Sequence, residues 1–384
     1  MYTDSATVAA SLRLEIKALT LRKLMKKQRS FWMKKNNRIG SIDLIKVIAS
    51  FSVTAVHFRN RVERQIPEVL IGNKIKLFFS TNYALFILAV PLFLLASGYL
   101  STYSKPSKKR YYNLVKIYGM YIFIALISYH VMIYAGIREP ISFLSMIYRA
   151  MKFDLISGWY IELYFGLYLL SPYFNIIMDH LTKDETKHFI LVLLFTISIP
   201  SLINRFPITS TRIWFPNFYV SMYPFVYYVI GSYIRRYVNV ENINLKKQIL
   251  VYLLSLAFII GTLYRYANPY TKSLEGYYQS IVNVTLATSF FLIIYKKFQN
   301  ISSKTISFIS KYTLSTYIVS LPIDRVFYPR FANLFQGYEN LLFVSPLIVL
   351  LLYILALVYG WILYNIFELI LKSLKNVRYI LKSN

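Results

Sequence analysis

Two ionisable residues lie within an apolar stretch near the start of the chain, "KVIASFSVTAVH" at residues 46–57. Lys46 and His57 are close to three helical turns apart, so both lie on one helix face, separated by about 16 Å along its axis. Asp43, one turn before Lys46, can pair with it and make a lysine tolerable in a membrane. His57 can take or give a proton near neutral pH. The equally weighted alternative is that Lys46 extends to the membrane interface and His57 is an ordinary interfacial residue.

A cluster of cations follows the next apolar stretch, "AVPLFLLASGYL" at residues 89–100. Such a cluster usually only marks the cytoplasmic side of a membrane protein. Its functional interpretation is a seat for an anionic group, such as the phosphates of a nucleotide-bearing donor. Gly98, near the end of the stretch, permits close approach of a neighbouring helix. The cations are Lys105, Lys108, Lys109, Arg110 and Lys116.

A carboxylate lies among aromatic residues in "SGWYIELYFGLYLLSPYFN", residues 157–175. In a membrane span Glu162 is expected to face a cavity or a cation, and Lys311 and Arg212 are the candidate cations. The surrounding rings would suit a sugar, although an interfacial aromatic belt is the favoured explanation of each tyrosine taken singly. The aromatic residues are Trp159, Tyr160, Tyr164 and Tyr168.

A fourth segment, "SFISKYTLSTYIVSLPIDRVFYP" at residues 307–329, places Lys311 inside an apolar stretch. Asp324 and Arg325 follow at its outer end. These two residues either pair with each other at the surface or border the outer mouth of the same cavity as His57.

The composition predicts an all-α bundle of about ten transmembrane helices. The chain has 384 residues, of which 57% are hydrophobic, and apolar runs of about twenty residues recur, as membrane-spanning helices require. The absence of cysteine excludes disulfides and thiolate zinc sites, and the four histidines lack metal-ligand spacing. The predicted spans are near residues 41–59, 78–100, 115–136, 158–178, 189–204, 218–234, 247–265, 276–296, 305–322 and 341–370.

The distribution of positive charge predicts the orientation of this bundle in the cell membrane. The net charge of +28 is dispersed between spans, which argues against a nucleic-acid partner and for basic loops facing anionic lipid. Both termini are predicted to be cytoplasmic. Residues 1–38 are predicted to form a basic extension, either a helix on the membrane surface or a stretch ahead of a later true start at Met33. Residues 39–372 form the transmembrane domain and 373–384 a basic tail.

The four segments, in this order, resemble the acyltransferase 3 family of integral membrane acyltransferases, and the resemblance runs from about residue 38 to the C-terminus. The family's first span carries an acid, a basic residue and, after ten intervening residues, a histidine, as in "RIGSIDLIKVIASFSVTAVHF". The phrases "VPLFLLASGYL", "GWYIELYFGLYLLSPYFN" and "ISKYTLSTYIVSLPID" resemble later family segments. One departure is Lys46, where the family usually has arginine, because lysine lacks the bidentate fork of arginine.

The resemblance implies an acyl-CoA co-substrate on the cytoplasmic side, with acetyl as the default acyl group and no permanently bound cofactor. The acceptor implied is a hydroxyl of an exported or lipid-linked glycan, with glycan-synthesis or export proteins as partners. His57 would be the general base, with Glu162 as a second catalytic candidate. The residues implied to bind acyl-CoA are Asp43, Lys46, Lys109, Arg110 and Lys116. Those implied to bind the acceptor are Trp159, Tyr160, Tyr164 and Asp324.

Two other classes of function remain open from the sequence. A polysaccharide or lipid-linked oligosaccharide exporter would also show many spans, aromatic linings and buried charges, although the two related halves typical of transporters are not visible. The other class is a non-catalytic membrane partner of a glycan synthase.

Overall fold

A computed structural model of the chain describes residues 38–63, 66, 72–156, 158–203, 217–266, 278–334 and 338–383. The chain divides into Met1–Ile39 and one compact unit, Gly40–Asn384. The predicted surface helix of the N-terminal extension, the alternative start at Met33, and Arg212 lie outside the described residues.

All regular structure in the described part of the chain is helical. Short π- and 3₁₀-helical turns at Leu194–Ser198, Asn217–Met222 and Val240–Asn242 join some of the helices. The α-helices are α1 (Gly40–Val62), α2 (Asn73–Phe86), α3 (Ala89–Ser101), α4 (Lys108–Tyr134), α5 (Phe143–Met151), α6 (Trp159–His180), α7 (Lys183–Leu193), α8 (Ile199–Ile203), α9 (Tyr223–Tyr237), α10 (Leu245–Tyr266), α11 (Ile281–Lys297), α12 (Lys304–Leu334) and α13 (Tyr338–Ser383).

The all-α prediction is confirmed for the described residues, and the described part of each predicted span is largely helical. Within the described residues, 6 helical segments are long and apolar enough to cross a membrane. They are Gly40–Val62, Asn73–Ser101, Lys108–Tyr134, Trp159–His180, Leu245–Arg265 and Glu339–Leu374. Among the others, α9 and α11 are short, with 15 and 17 residues, and α12 is long but more polar. The count of ten spans stays a prediction.

Helices α1 and α12 lie side by side and run in the same direction. Ser310 donates a hydrogen bond to Asp43, and His57 bonds to Asp324; both pairs are 267 positions apart in the chain. The constant offset means that two heptads of α1 match two heptads of α12 over about 21 Å. Near the His57 end of this contact, the hydroxyl of Tyr328, four positions after Asp324, donates to the carbonyl of Thr54, three positions before His57, at 2.7 Å. We call this parallel contact between α1 and α12 the α1–α12 seam. It fixes how far along the bundle the ionisable groups of one helix lie relative to those of the other.

Helices α3 and α9 approach each other through a pair of glycines. A Cβ atom on Gly98 would lie 2.1 Å from the carbonyl oxygen of Tyr228, and one on Gly231 would lie 2.1 Å from that of Leu95. No side chain fits at either position, so the two backbones are in direct contact. The expectation of close approach at Gly98 is confirmed.

Helix α6 begins beside the middle of α4 rather than beside its end. A Cβ on Gly158 would lie 2.5 Å from the Tyr121 hydroxyl, and Tyr121 is near the midpoint of α4. Further along α6, Tyr168 accepts a hydrogen bond through its carbonyl from Arg110, in the first turn of α4, at 2.7 Å. The two helices therefore run antiparallel, and the first residues of α6 lie deep in the bundle.

Candidate active site

The first element of the site is a direct contact between His57 on α1 and Asp324 on α12. Nδ1 of His57 lies 2.6 Å from Oδ2 of Asp324. The Asp324 side chain is 0% exposed and that of His57 is 16% exposed. With the carboxylate ionised, Nδ1–H of the imidazole is the donor, which leaves Nε2 as the nitrogen able to accept a proton. The pair has the form of a base held in one tautomer by a buried carboxylate.

The surroundings of this pair contain further polar and charged groups. Oδ1 of Asp324, the other carboxylate oxygen, is buried with no hydrogen bond among the described residues. Two residues beyond His57, Arg59 donates to Glu63 at 2.6 Å and lies over the Tyr83 ring at 4.6 Å. Asp324 is thus buried beside His57, and the cavity mouth that the sequence suggests for this pair stays a prediction.

The end of the α1–α12 seam nearer the N-termini of the two helices carries the second polar cluster. Asp43 is buried and accepts hydrogen bonds from the hydroxyls of Ser310 at 2.6 Å and Ser307 at 3.3 Å. The Lys46 ammonium donates to the Ser310 carbonyl at 3.0 Å. The acid and the lysine, which the sequence places one turn apart, are thus both anchored on α12.

A cavity of about 210 Å³ opens beside this cluster. Helices α1, α3, α6 and α12 contribute its walls, and the early start of α6 places two tyrosines in the lining. Tyr160 and Tyr317 meet edge to face, with ring centroids 4.9 Å apart, and are nearly fully buried. The lining residues that carry a polar atom on the side chain are Lys46, Ser97, Ser101, Tyr160, Tyr164, Ser310, Lys311, Thr313 and Tyr317.

Three of the cations predicted to bind acyl-CoA lie on α4, and the structure gives them different surroundings. Lys109 is exposed. Arg110 is buried, donates to the Tyr168 carbonyl and the Ser171 hydroxyl, and lies over the Tyr168 ring at 3.8 Å. Lys116 forms an ion pair with Glu368 of α13. Arg110 therefore joins α4 to α6, and Lys116 joins α4 to α13.

The predicted acceptor residues are not all brought together. Tyr160 and Tyr164 line the cavity, whereas Trp159 is 41% exposed and stacks on Tyr278 with centroids 5.7 Å apart. Glu162 is exposed and outside the cavity lining, so the structure brings it neither to His57 nor to Lys311.

Ser310, Tyr317 and Glu368 were missed in the sequence as residues of the site, whereas Asp324 was among the predicted ones. Ser310, Tyr317 and Asp324 are spaced by seven positions on α12, as are Asp43, Ser50 and His57 on α1. This matching heptad spacing is the signal that could have paired the two helices. Glu368, the partner of Lys116, carries no such signal, because it lies in the apolar part of α13 and is not part of a repeated spacing.

Fold and site together define a polytopic helical membrane protein with a buried histidine–carboxylate pair at one end of a helix seam and a lysine-lined cavity at the other. A family model, the acyltransferase domain of the acyltransferase 3 family, matches residues 39–365. The chain belongs to this family and is a membrane-embedded acyltransferase. No curated protein and no solved structure matches the chain.

Proposed function

We propose that this enzyme moves an acyl group, acetyl by default, from cytoplasmic acyl-CoA to a hydroxyl of an exported or lipid-linked glycan, with His57 as general base. The single observation that carries the proposal is the 2.6 Å contact between His57 and the buried Asp324. This contact supports a basic Nε2 in a fixed orientation, as proton abstraction from a hydroxyl requires.

The proposed chemistry is direct transfer with His57 as the proton carrier. Nε2 of His57 takes the proton of the sugar hydroxyl as its oxygen attacks the thioester carbonyl. The new C–O bond forms, the C–S bond breaks, and the imidazolium returns the proton to the departing thiolate. Asp324 is a positioning residue, which holds the imidazole and stabilises its protonated form.

The α1–α12 seam gives this chemistry a route through the protein. Asp43 and Lys46 lie at its inner end, about 16 to 21 Å from His57 along the helix axis. An extended pantetheine arm lying along the seam would carry the thioester from the donor site toward His57. The alternative to direct transfer is a relay, in which the acyl group passes outward in a second step. A relay would use the same two ends of the α1–α12 seam, with Lys46 at one and His57 at the other.

The donor and acceptor sites are assigned by depth. Lys46 and the exposed Lys109 are proposed to contact the donor directly, whereas the packed Arg110 and Lys116 shape its site. Tyr160 and Tyr164 are proposed to contact the transferred group or the acceptor, with Trp159 at the edge. The exposed position of Glu162 adds no support to a catalytic role.

The experiment that tests the activity is the ester content of surface polysaccharide in cells that lack this protein and in cells to which the wild type is restored. Restoration of one acyl ester by the wild type identifies both the acyl group and the glycan. Unchanged acylation together with failed glycan export would contradict the proposal and support the exporter alternative.

A further inference from the structure

We propose that Lys311 is a second cation of the donor site, which together with Lys46 holds an oxyanion of the acyl donor. This inference rests on the proposed function. It assigns a binding role to a residue on α12, 265 positions from Lys46 in the chain.

The two lysines reach one cavity from different helices. Lys46 is 6 positions after Gly40, the first residue of α1, and Lys311 is 7 positions after Lys304, the first residue of α12. Each is thus about 10 Å from the inner end of its helix. Both line the cavity of about 210 Å³. Because the helices are parallel and in register, the two ammonium groups enter the cavity at a similar depth.

Lys311 forms no close ion pair with a described carboxylate, although Glu368 lies near enough to interact with it electrostatically. Its ammonium lies 3.2 Å from the Tyr312 hydroxyl and over the rings of Tyr312 and Tyr364 at 5.0 and 5.6 Å, all of them neutral partners. Glu368 in the same region forms its ion pair with Lys116 instead. Within the described residues Lys311 is therefore a cation without an ion pair, held beside a cavity by aromatic contacts.

The lining of the cavity suits an oxyanion. It contains two lysines, hydroxyl-bearing side chains and apolar groups, and none of its residues is an aspartate or glutamate. A lysine in a membrane span needs either a counter-charge or access to water, so an anion that enters this cavity would be attracted by both ammonium groups. An acyl donor supplies such an anion from two sources, the phosphates of its nucleotide part or the carboxylate of a dicarboxylic acyl group.

The test is equilibrium binding to the purified full-length chain in nanodiscs, which requires no acceptor. The probes are acetyl-CoA, succinyl-CoA and S-acetyl-pantetheine, which carries no phosphate. We expect Lys311→Met to weaken acetyl-CoA binding roughly 10- to 100-fold, as for loss of a charged hydrogen bond, and Lys311→Arg to retain most of it. Lys304→Met, on the same helix but outside the cavity lining, is the matched control and should bind as the wild type does.

The probes distinguish the two sources of the oxyanion. If the phosphates bind at Lys311, the substitution leaves the affinity for S-acetyl-pantetheine unchanged. If an acyl carboxylate binds there, only the affinity for succinyl-CoA falls. Affinities of Lys311→Met equal to those of Lys304→Met for all three probes would overturn the inference and leave the proposed function standing. A wild-type chain that binds no acyl-CoA would instead remove the proposed donor, and the inference with it.

Discussion

At the scale of single residues, the account depends on the division of labour between His57 and Asp324. The histidine is 16% exposed and the carboxylate 0% exposed, so a substrate can reach only the imidazole. Asp324 acts through its hydrogen bond, which sets the tautomer and stabilises the positive charge that forms on the ring.

Replacement of Asp324 by asparagine should therefore lower turnover far more than donor binding. We expect kcat to fall by roughly 10²- to 10⁴-fold, because the amide neither selects the tautomer nor balances the imidazolium. The measurement is the rate of ester formation on the native acceptor in membranes, alongside equilibrium binding of acetyl-CoA. Asp184→Asn, at an exposed carboxylate in the first turn of α7, is the control. A fall in donor affinity that accounts for the whole loss of rate would contradict this role for Asp324.

At the scale of helices, most of the fold could be predicted from the sequence and the pairing of helices could not. The apolar stretches predicted helices because, inside a membrane, a single segment can satisfy its backbone hydrogen bonds only as a helix. The contact of α1 with α12 joins residues 267 positions apart, and apart from their matching heptad spacing no local pattern indicates which helices are neighbours. For the same reason Arg110 and Lys116 could be recognised as cations, while their partners Tyr168 and Glu368 could not.

The glycine contact between α3 and α9 gives a prediction at this scale. Gly98→Ala places a methyl group against the Tyr228 carbonyl, where a Cβ would lie 2.1 Å from the oxygen, so the helices must separate. We expect a loss of about 1–3 kcal/mol, typical of overpacking, seen as a lower melting temperature of the purified protein. Gly166→Ala on α6 is the matched control, because a Cβ there meets nothing within 4 Å and alanine favours helix. Equal melting temperatures for the two variants would argue against the close contact.

At the scale of the whole molecule, the helix directions combine into one proposed topology. In the proposed orientation, α1, α4 and α12 run from the cytoplasmic side to the outer side, and α13 runs back. Lys116 of α4 pairs with Glu368 of α13 near the cytoplasmic side. At the other end, Arg330 of α12 donates to the carbonyl of Ala135, just beyond α4, at 3.0 Å. The proposal of cytoplasmic termini thus places the donor cavity inside and His57 toward the outside.

Cysteine labelling tests this topology directly, since the chain contains 0 cysteines. A cysteine at Lys105, between α3 and α4, should be protected from an impermeant maleimide in intact cells, and one at Glu139, beyond α4, should react. Both positions are exposed, and permeabilised cells provide the control in which both react. The opposite pattern in intact cells would invert the proposed orientation and separate the lysine-lined cavity from cytoplasmic acyl-CoA.

The most direct test of the central claim is the O-acyl content of surface polysaccharide in cells lacking the native protein and complemented with either wild type or His57→Ala at matched membrane levels. Loss of the general base is expected to lower the rate by about 10²–10⁴-fold or more, so the wild type should restore the ester and His57→Ala should leave it near the level of the uncomplemented cells. Equal restoration by both would show that His57 is structural and that the proposed mechanism is wrong.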